Sequence, residues 1–194
     1  MKNRMNGVWL AAIVAVGACL TWGPTAAAAP AKRAAAQQSA AVATTNPNEG
    51  FLRTWKDVAR KLIEMAEDFP EDKYDYKPTP EVRSFAEQML HVTGSVYYFK
   101  AALEGTAPPP QADPKRAEFK SKAEIVAFAK KALSDGTALL ESADFSKTIK
   151  GRRRMINPYE FWSDFCEHAG EHYGQMVVYY RLNGIVPPES RPKK

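Results

Sequence analysis

Two of the three histidines in this 194-residue chain lie four residues apart, in the stretch EHAGEHYGQ at residues 167–175. A helix turns by about 100° per residue, so His168 and His172 would project from the same side of one helix. Two imidazoles in that arrangement can grip one metal ion. The third histidine, His91, lies far upstream and would have to approach from another helix. The chemistry that these residues indicate is metal coordination.

Three neutral imidazoles suit zinc, nickel, copper or iron(II). Three protein ligands would leave one coordination position open for water or substrate, which is typical of catalytic zinc sites, whereas structural sites are closed by a fourth ligand. A histidine pair at this spacing also occurs for purely structural reasons. The residues alone therefore leave three classes open: a metal-dependent enzyme, a non-catalytic metal-binding or stress-related envelope protein, and a scaffold without metal.

Polar residues near the histidines are candidates for supporting roles. On a helical projection Asp164 and Gln175 fall within about 40° of the histidine pair, and Gln88 lies on the polar edge of the segment that carries the third histidine. Metal-bound imidazoles usually donate their free N–H to a carboxylate or carbonyl, so we expect these three side chains to orient the rings. Glu171 could share that role, or act as a general base.

Four amphipathic segments must position these residues, and each begins with an N-capping signal, in which a capping residue is followed three positions later by glutamate. The signals are Asn46-Pro47-Asn48-Glu49, Ser84-Phe85-Ala86-Glu87, Ser121-Lys122-Ala123-Glu124 and Asn157-Pro158-Tyr159-Glu160. Apolar residues recur every three or four positions after each signal. Such stripes must be buried against one another, so we predict an all-α four-helix bundle over residues 46–190.

Two details of the predicted helices can be checked against the structure. In the last helix the apolar stripe runs from Phe161 to Leu182, and the spacing of Gly170 and Gly174 suggests the close approach of another helix. No alternating pattern of useful length predicts a β-strand.

The N-terminal part of the chain reads as an export signal followed by a leader. Residues 1–29 combine Lys2 and Arg4 with an apolar run and a cluster of small residues, which predicts a cleaved signal peptide. An N-terminal membrane anchor is one alternative, and lipoprotein processing is another, because Cys19 lies in a lipobox-like context. Residues 30–45 are rich in alanine and hold too few large apolar side chains to fold, which predicts disorder. We therefore expect a periplasmic or cell-envelope protein without a membrane span in the mature chain.

Charge and cysteine content restrict the partners. The formal charge is +5, but residues 1–45 carry four basic residues and no acid, which leaves 23 basic and 22 acidic residues in the rest. A nearly neutral domain does not indicate nucleic-acid binding. Cys166 is the single cysteine after the signal, so we expect a buried thiol and no intramolecular disulfide. A small-molecule substrate of unknown identity is expected, and a homodimer is left open.

Residues 69–92, FPEDKYDYKPTPEVRSFAEQMLHV, and 167–190, EHAGEHYGQMVVYYRLNGIVPPES, resemble the DinB-like family. The resemblance covers nearly the whole predicted bundle. It implies a four-helix bundle with a three-histidine metal site, and maps the ligands onto His91, His168 and His172, with zinc or nickel expected before iron. Family members include thiol-dependent transferases or isomerases and metal-dependent hydrolases. The export signal departs from the thiol-using members, because their thiols are mostly cytosolic.

Overall fold

A computed structural model describes residues 47–151 and 153–192 of the chain. It contains four long helices, α1 (Pro47–Asp68), α2 (Phe85–Glu104), α3 (Lys122–Glu141) and α4 (Pro158–Leu182). The predicted four-helix bundle is confirmed. The predicted signal peptide at residues 1–29, including Cys19, and the predicted leader at residues 30–45 lie outside the described residues.

The helices begin where the capping signals predict. However, the two reciprocal hydrogen bonds of a capping box do not both form at every helix. Ser84 accepts from the Glu87 amide while the Glu87 carboxylate accepts from the Ser84 amide, which completes a capping box at the start of α2. At α3, Ser121 accepts from the Glu124 amide, but the Glu124 carboxylate accepts from Lys120. At α4 the side chain of Asn157 caps the helix.

Aromatic contacts fix the directions of the helices. Phe85, at the start of α2, lies 6.3 Å from Tyr179 near the end of α4, and Phe99, near the end of α2, lies 5.4 Å from Phe161 near the start of α4. These distances join ring centroids, and they show that α2 and α4 run antiparallel. Helix α1 also packs against α3 and α4, and α2 against α3 and α4.

The connection between α2 and α3 is long because these helices run in the same direction. Tyr97, late in α2, donates to Asp135, late in α3, so the chain must return along the whole bundle, about 30 Å for a 20-residue helix. Residues 105–121 make this crossover with two short 3₁₀ turns, Pro110–Ala112 and Arg116–Glu118. The crossover lies on α2 at Gly94, where an added Cβ would meet the Pro114 ring at 2.6 Å.

The bundle interior is filled by large side chains from all four helices. Trp55 stacks on Phe165 with ring centroids 4.1 Å apart, and its indole N–H donates to Thr137 across to α3. The predicted stripes are buried or partly buried except at the end of α4, where Leu182 is 56% exposed. The residues that form the centre of the core are Trp55, Leu62, Met65, Phe69, Phe85, Met89, Leu90, Ile125, Trp162, Phe165, Met176 and Tyr180.

Two further expectations about the helices and strands were wrong. An added Cβ at Gly170 or Gly174 would meet nothing within 4 Å, so no helix approaches there. Both glycines are exposed on α4. The expected absence of strands also fails, since β1 (Ile149–Lys150) and β2 (Met155–Ile156) form a short antiparallel pair. The backbone N–H of Gly151 donates to Arg154 and closes the turn between them.

Within residues 47–151 and 153–192, no helix has the length and apolar character that a membrane crossing requires.

Candidate metal centre

Antiparallel packing of α2 on α4 brings the three histidines together. The ring centroids of His91 lie 5.4 Å from His168 and 4.7 Å from His172, and those of His168 and His172 lie 4.5 Å apart. Each residue offers one ligand nitrogen, and these three nitrogens lie within 4.8 Å of one another. The predicted convergence of the three imidazoles is confirmed.

The environment of the rings fits a cation better than it fits an ordinary buried polar cluster. His172 is 6% exposed, and the other two rings are half-buried. Nε2 of His168 is a buried nitrogen without a hydrogen-bond partner, and it is the single such side-chain atom in the part of the chain that the structure describes. Buried polar atoms are normally hydrogen-bonded. A buried nitrogen without a partner, on a ring that lies beside two other imidazoles, fits metal coordination.

The electrostatics keep the imidazoles in the form that binds metals. Burial, chiefly, lowers the pKa of His91 to about 4 and that of His172 to about 4, and burial also lowers the pKa of His168. Desolvation disfavours the charged imidazolium. At neutral pH the three rings are therefore neutral, and a neutral imidazole is the species that donates a lone pair to a metal ion.

Gln88 contacts the site from within the core. It is 3% exposed, its side-chain amide lies 2.7 Å from Nδ1 of His172, and it also hydrogen-bonds the side chain of Gln175. Since Nδ1 of His172 is occupied by this contact, Nε2 is the ring atom left for a metal. The structure thus brings two of the three predicted supporting residues, Gln88 and Gln175, to one ligand.

The two acidic residues singled out from the sequence are both exposed on α4. The Glu171 carboxylate is close enough to His168 to oppose the lowering of its pKa. Asp164 interacts electrostatically with Arg154 and with Glu167, and within residues 47–151 and 153–192 no hydrogen bond joins it to an imidazole. Its assignment as a residue that orients a ring stays a prediction.

Arg83 was missed by the sequence reasoning. It precedes the capping residue of α2, and its charge lowers the pKa of all three imidazoles. Its backbone carbonyl accepts from the Tyr179 hydroxyl at 2.6 Å, which fixes this residue against α4. The sequence signal that could have found Arg83 is its position directly before Ser84, the capping residue of the helix that carries His91.

Two cavities lie near the histidines, and His91 lines the smaller of them. One, of about 310 Å³, is lined by His91, Arg83 and residues of the crossover connection. The other, of about 710 Å³, is lined by Gln88, Gln175, Arg83 and the apolar side chains of Pro78, Val82 and Val178. Both are open to solvent on the same side of the bundle, so a small molecule can reach the neighbourhood of the rings from either.

Fold and site together define a helical-bundle protein with three histidines converging inside the bundle, and comparison with known sequences agrees. The sequence model described as the DinB superfamily matches residues 54–176. The chain belongs to the DinB superfamily, which confirms the resemblance seen in the sequence. None of the curated proteins matches the chain.

Solved structures share the fold. A DinB-like protein from Bacillus cereus ATCC 10987 has a TM-score of 0.61 and 19% identity, covering 72% of this chain and 95% of its own. The DinB-like protein YjoA from Bacillus subtilis has a TM-score of 0.59 and 21% identity, covering 74% and 99%. YfiT from Bacillus subtilis, described as "a probable metal-dependent hydrolase with an unusual four-helix bundle topology", has a TM-score of 0.56 and 14% identity, covering 74% and 92%.

Proposed function

We propose that this protein binds one divalent cation through His91, His168 and His172, with one coordination position open, and acts as a metal-dependent hydrolase or transferase. The observation that carries the proposal is the convergence of three neutral imidazoles whose ligand nitrogens lie within 4.8 Å of one another. One of these rings, that of His168, has a buried Nε2 without a hydrogen-bond partner. The description of YfiT as a probable metal-dependent hydrolase supports the same reading.

The donor set decides which cations fit. Imidazole nitrogens suit zinc, nickel and iron(II), and suit magnesium or calcium poorly. We therefore expect zinc or nickel before iron. A divalent cation held there would supply Lewis-acid chemistry, since it polarises a carbonyl or phosphoryl oxygen and lowers the pKa of water.

The protein's own residues would position the rings and move protons. In the structure the Gln88 NH₂ group faces both Nδ1 of His172 and the Gln175 carbonyl. With both amides turned by 180°, the Gln88 carbonyl would accept from Nδ1–H of His172 and from the Gln175 amide. This keeps the proton on Nδ1 and the lone pair on Nε2, the usual arrangement for a metal-binding imidazole. Glu171, exposed beside His168, is the candidate general base, because an accessible carboxylate can take a proton from a nucleophile at the rim. Asp164 is retained as a candidate for orienting His168.

Metal content tests the proposal directly. The purified protein should hold about one zinc or nickel per chain by elemental analysis after exposure to these ions and buffer exchange, as expected for a tight site. His172→Ala should abolish this uptake, and Glu171→Gln, which leaves the three imidazoles in place, should retain it. A wild-type protein that stays free of zinc, nickel and iron would overturn the proposal.

A second measurement separates an enzyme from a metal-binding protein without activity. Metal-loaded wild-type protein should hydrolyse an activated ester such as p-nitrophenyl acetate faster than both the metal-free protein and Glu171→Gln. If the ion raises the melting temperature and all three preparations hydrolyse the ester equally, the non-catalytic, stress-related envelope function gains support.

We further propose that the protein is exported to the periplasm or cell envelope. The support is the sequence of residues 1–29, with Lys2 and Arg4 before an apolar run and a cluster of small residues. Intact-mass analysis of protein from a bacterial envelope fraction should show a chain that begins near residue 30. A diacylglycerol mass on Cys19 would instead establish lipoprotein processing, and an uncleaved chain in the cytosolic fraction would contradict export.

A further inference from the structure

Arg83 lies where the two cavities beside the histidines meet. It lines the smaller cavity together with His91 and the larger one together with Gln88. Its backbone is held on both sides, by the Tyr179 hydroxyl on its carbonyl and by the capping box that starts at Ser84. The backbone of Arg83 is therefore held in place at the edge of both cavities.

The other cations around the smaller cavity are each neutralised. Lys77 pairs with Glu87 at 3.1 Å, and Arg116 pairs with Asp75 at 2.7 Å. Lys115 pairs with Asp113. The side chain of Arg83, in contrast, forms no ion pair with any residue in 47–151 or 153–192, although the Asp113 carboxylate interacts electrostatically with Arg83 and with His91. Glu81 lines the same cavities, but its carboxylate is hydrogen-bonded by Thr79, which lowers its pKa.

A free guanidinium at this place opposes the proposed occupant of the site. Arg83 disfavours a positive charge on each of the three rings, and by the same Coulombic repulsion it disfavours a divalent cation among them. An anion lying between the guanidinium and the cation would attract both and reverse the sign of that interaction. The arrangement is favourable when such an anion is present.

From this geometry we infer that Arg83 holds an anionic group, a carboxylate or phosphate, of the substrate whose reacting part lies at the metal. The inference rests on the proposed function and adds the substrate class. Arginine presents donors in a planar fork that matches carboxylate and phosphate oxygens. The apolar side chains of Pro78, Val82 and Val178 in the larger cavity would pack against a short hydrocarbon portion. The substrate is then a small anion with an apolar arm.

Three thiols of matched length test the inference without knowledge of the substrate. The protein is loaded with cobalt(II), a coloured stand-in for zinc, and titrated with 3-mercaptopropanoate, 3-mercaptopropan-1-ol and 3-aminopropane-1-thiol. Sulfur binding to cobalt is followed by its charge-transfer absorption, so the readout is a dissociation constant. We expect the carboxylate to bind about tenfold more tightly than the alcohol, and the amine more weakly than the alcohol, as for one charge-assisted contact.

Variants assign the preference to one residue. Arg83→Gln should lose most of the preference for the carboxylate, and what remains is the attraction of the cobalt ion itself for an anion. Arg116→Gln, which removes a cation of the same cavity that is already paired with Asp75, should keep most of the preference, because Asp75 lines neither cavity. Glu81→Gln should increase it, because a carboxylate near Arg83 is removed.

The outcomes separate the two proposals. Cobalt-loaded protein that binds all three thiols equally, or Arg83→Gln with an unchanged preference, overturns the inference and leaves the metal site standing. A protein that takes up no cobalt contradicts the proposed function, and the inference, which depends on that function, is then overturned as well.

Discussion

Replacing Gln88 by methionine should weaken metal binding without dismantling the bundle. Gln88 is 3% exposed and contacts Nδ1 of His172 at 2.7 Å. Methionine has a similar length and volume, so the core keeps its packing. The variant removes the polar group that orients His172 and leaves all three imidazoles in place.

The expected magnitude follows from the role of such supporting groups. Their loss typically weakens metal affinity by about 10- to 100-fold, or about 1.4 to 2.7 kcal/mol. The metal-free protein should lose about 1 to 3 kcal/mol of unfolding free energy, because Nδ1 of His172 is left buried without a partner. Gln175→Met is the matched control. Gln175 hydrogen-bonds Gln88 and also contacts His172 directly, but it is exposed, so water can replace its contacts and affinity should fall less than in Gln88→Met.

Competition with a chromophoric chelator at neutral pH gives the zinc dissociation constants of the wild type and both variants. Urea denaturation of the metal-free proteins gives their stabilities. A Gln88→Met protein that binds zinc within about threefold of the wild type would refute the reasoning. In that case the Gln88 amide stabilises the core without orienting the metal ligand.

Three further predictions concern the bundle. Gly136→Ala should destabilise it by about 1 to 2 kcal/mol, because the added methyl group would meet the Trp55 ring at 2.5 Å. Gly170→Ala has open space around the new methyl group and should stabilise the bundle by up to about 1 kcal/mol. Urea denaturation in which both variants change the unfolding free energy in the same direction would contradict this. Burial raises the pKa of the Cys166 thiol to about 11, so iodoacetamide should label it slowly at mildly alkaline pH and rapidly in denaturant. Since the unfolded thiol ionises first, near its ordinary pKa of 9.0, the unfolding free energy should fall as pH rises from about 9 to about 11, and less steeply in Cys166→Ala. Ser84→Ala should cost about 1 kcal/mol through loss of the capping box, and an unchanged melting temperature would contradict that.

Local sequence signals predicted the helices because caps and apolar periodicity act over a few residues. Ser84, Ser121 and Asn157 cap their helices as expected. The pairing of His168 with His172 is also local, since one helix carries both. These features need no knowledge of how the helices pack.

The parts that were not predicted depend on packing. Gly94, Gly136 and Gly151 are the glycines of the described residues that lie against neighbouring groups, yet Gly170 and Gly174 had the more suggestive spacing. Both kinds look alike along the chain, and only the position of the neighbouring chain segment separates them. Arg83 was missed for the same reason. The role of an exposed arginine depends on the groups near it, and the three imidazoles come near it only when α2 packs on α4.

The distribution of the three imidazoles along the chain sets an order for assembly. His168 and His172 face each other as soon as one turn of α4 forms, an event of about a microsecond or less. His91 lies about 77 residues earlier, so its arrival requires closure of a long loop, which is entropically unfavourable. A cation present while the chain folds would bind His168 and His172 first. By then binding His91 as well, it would favour the packing of the first half of the chain onto the second.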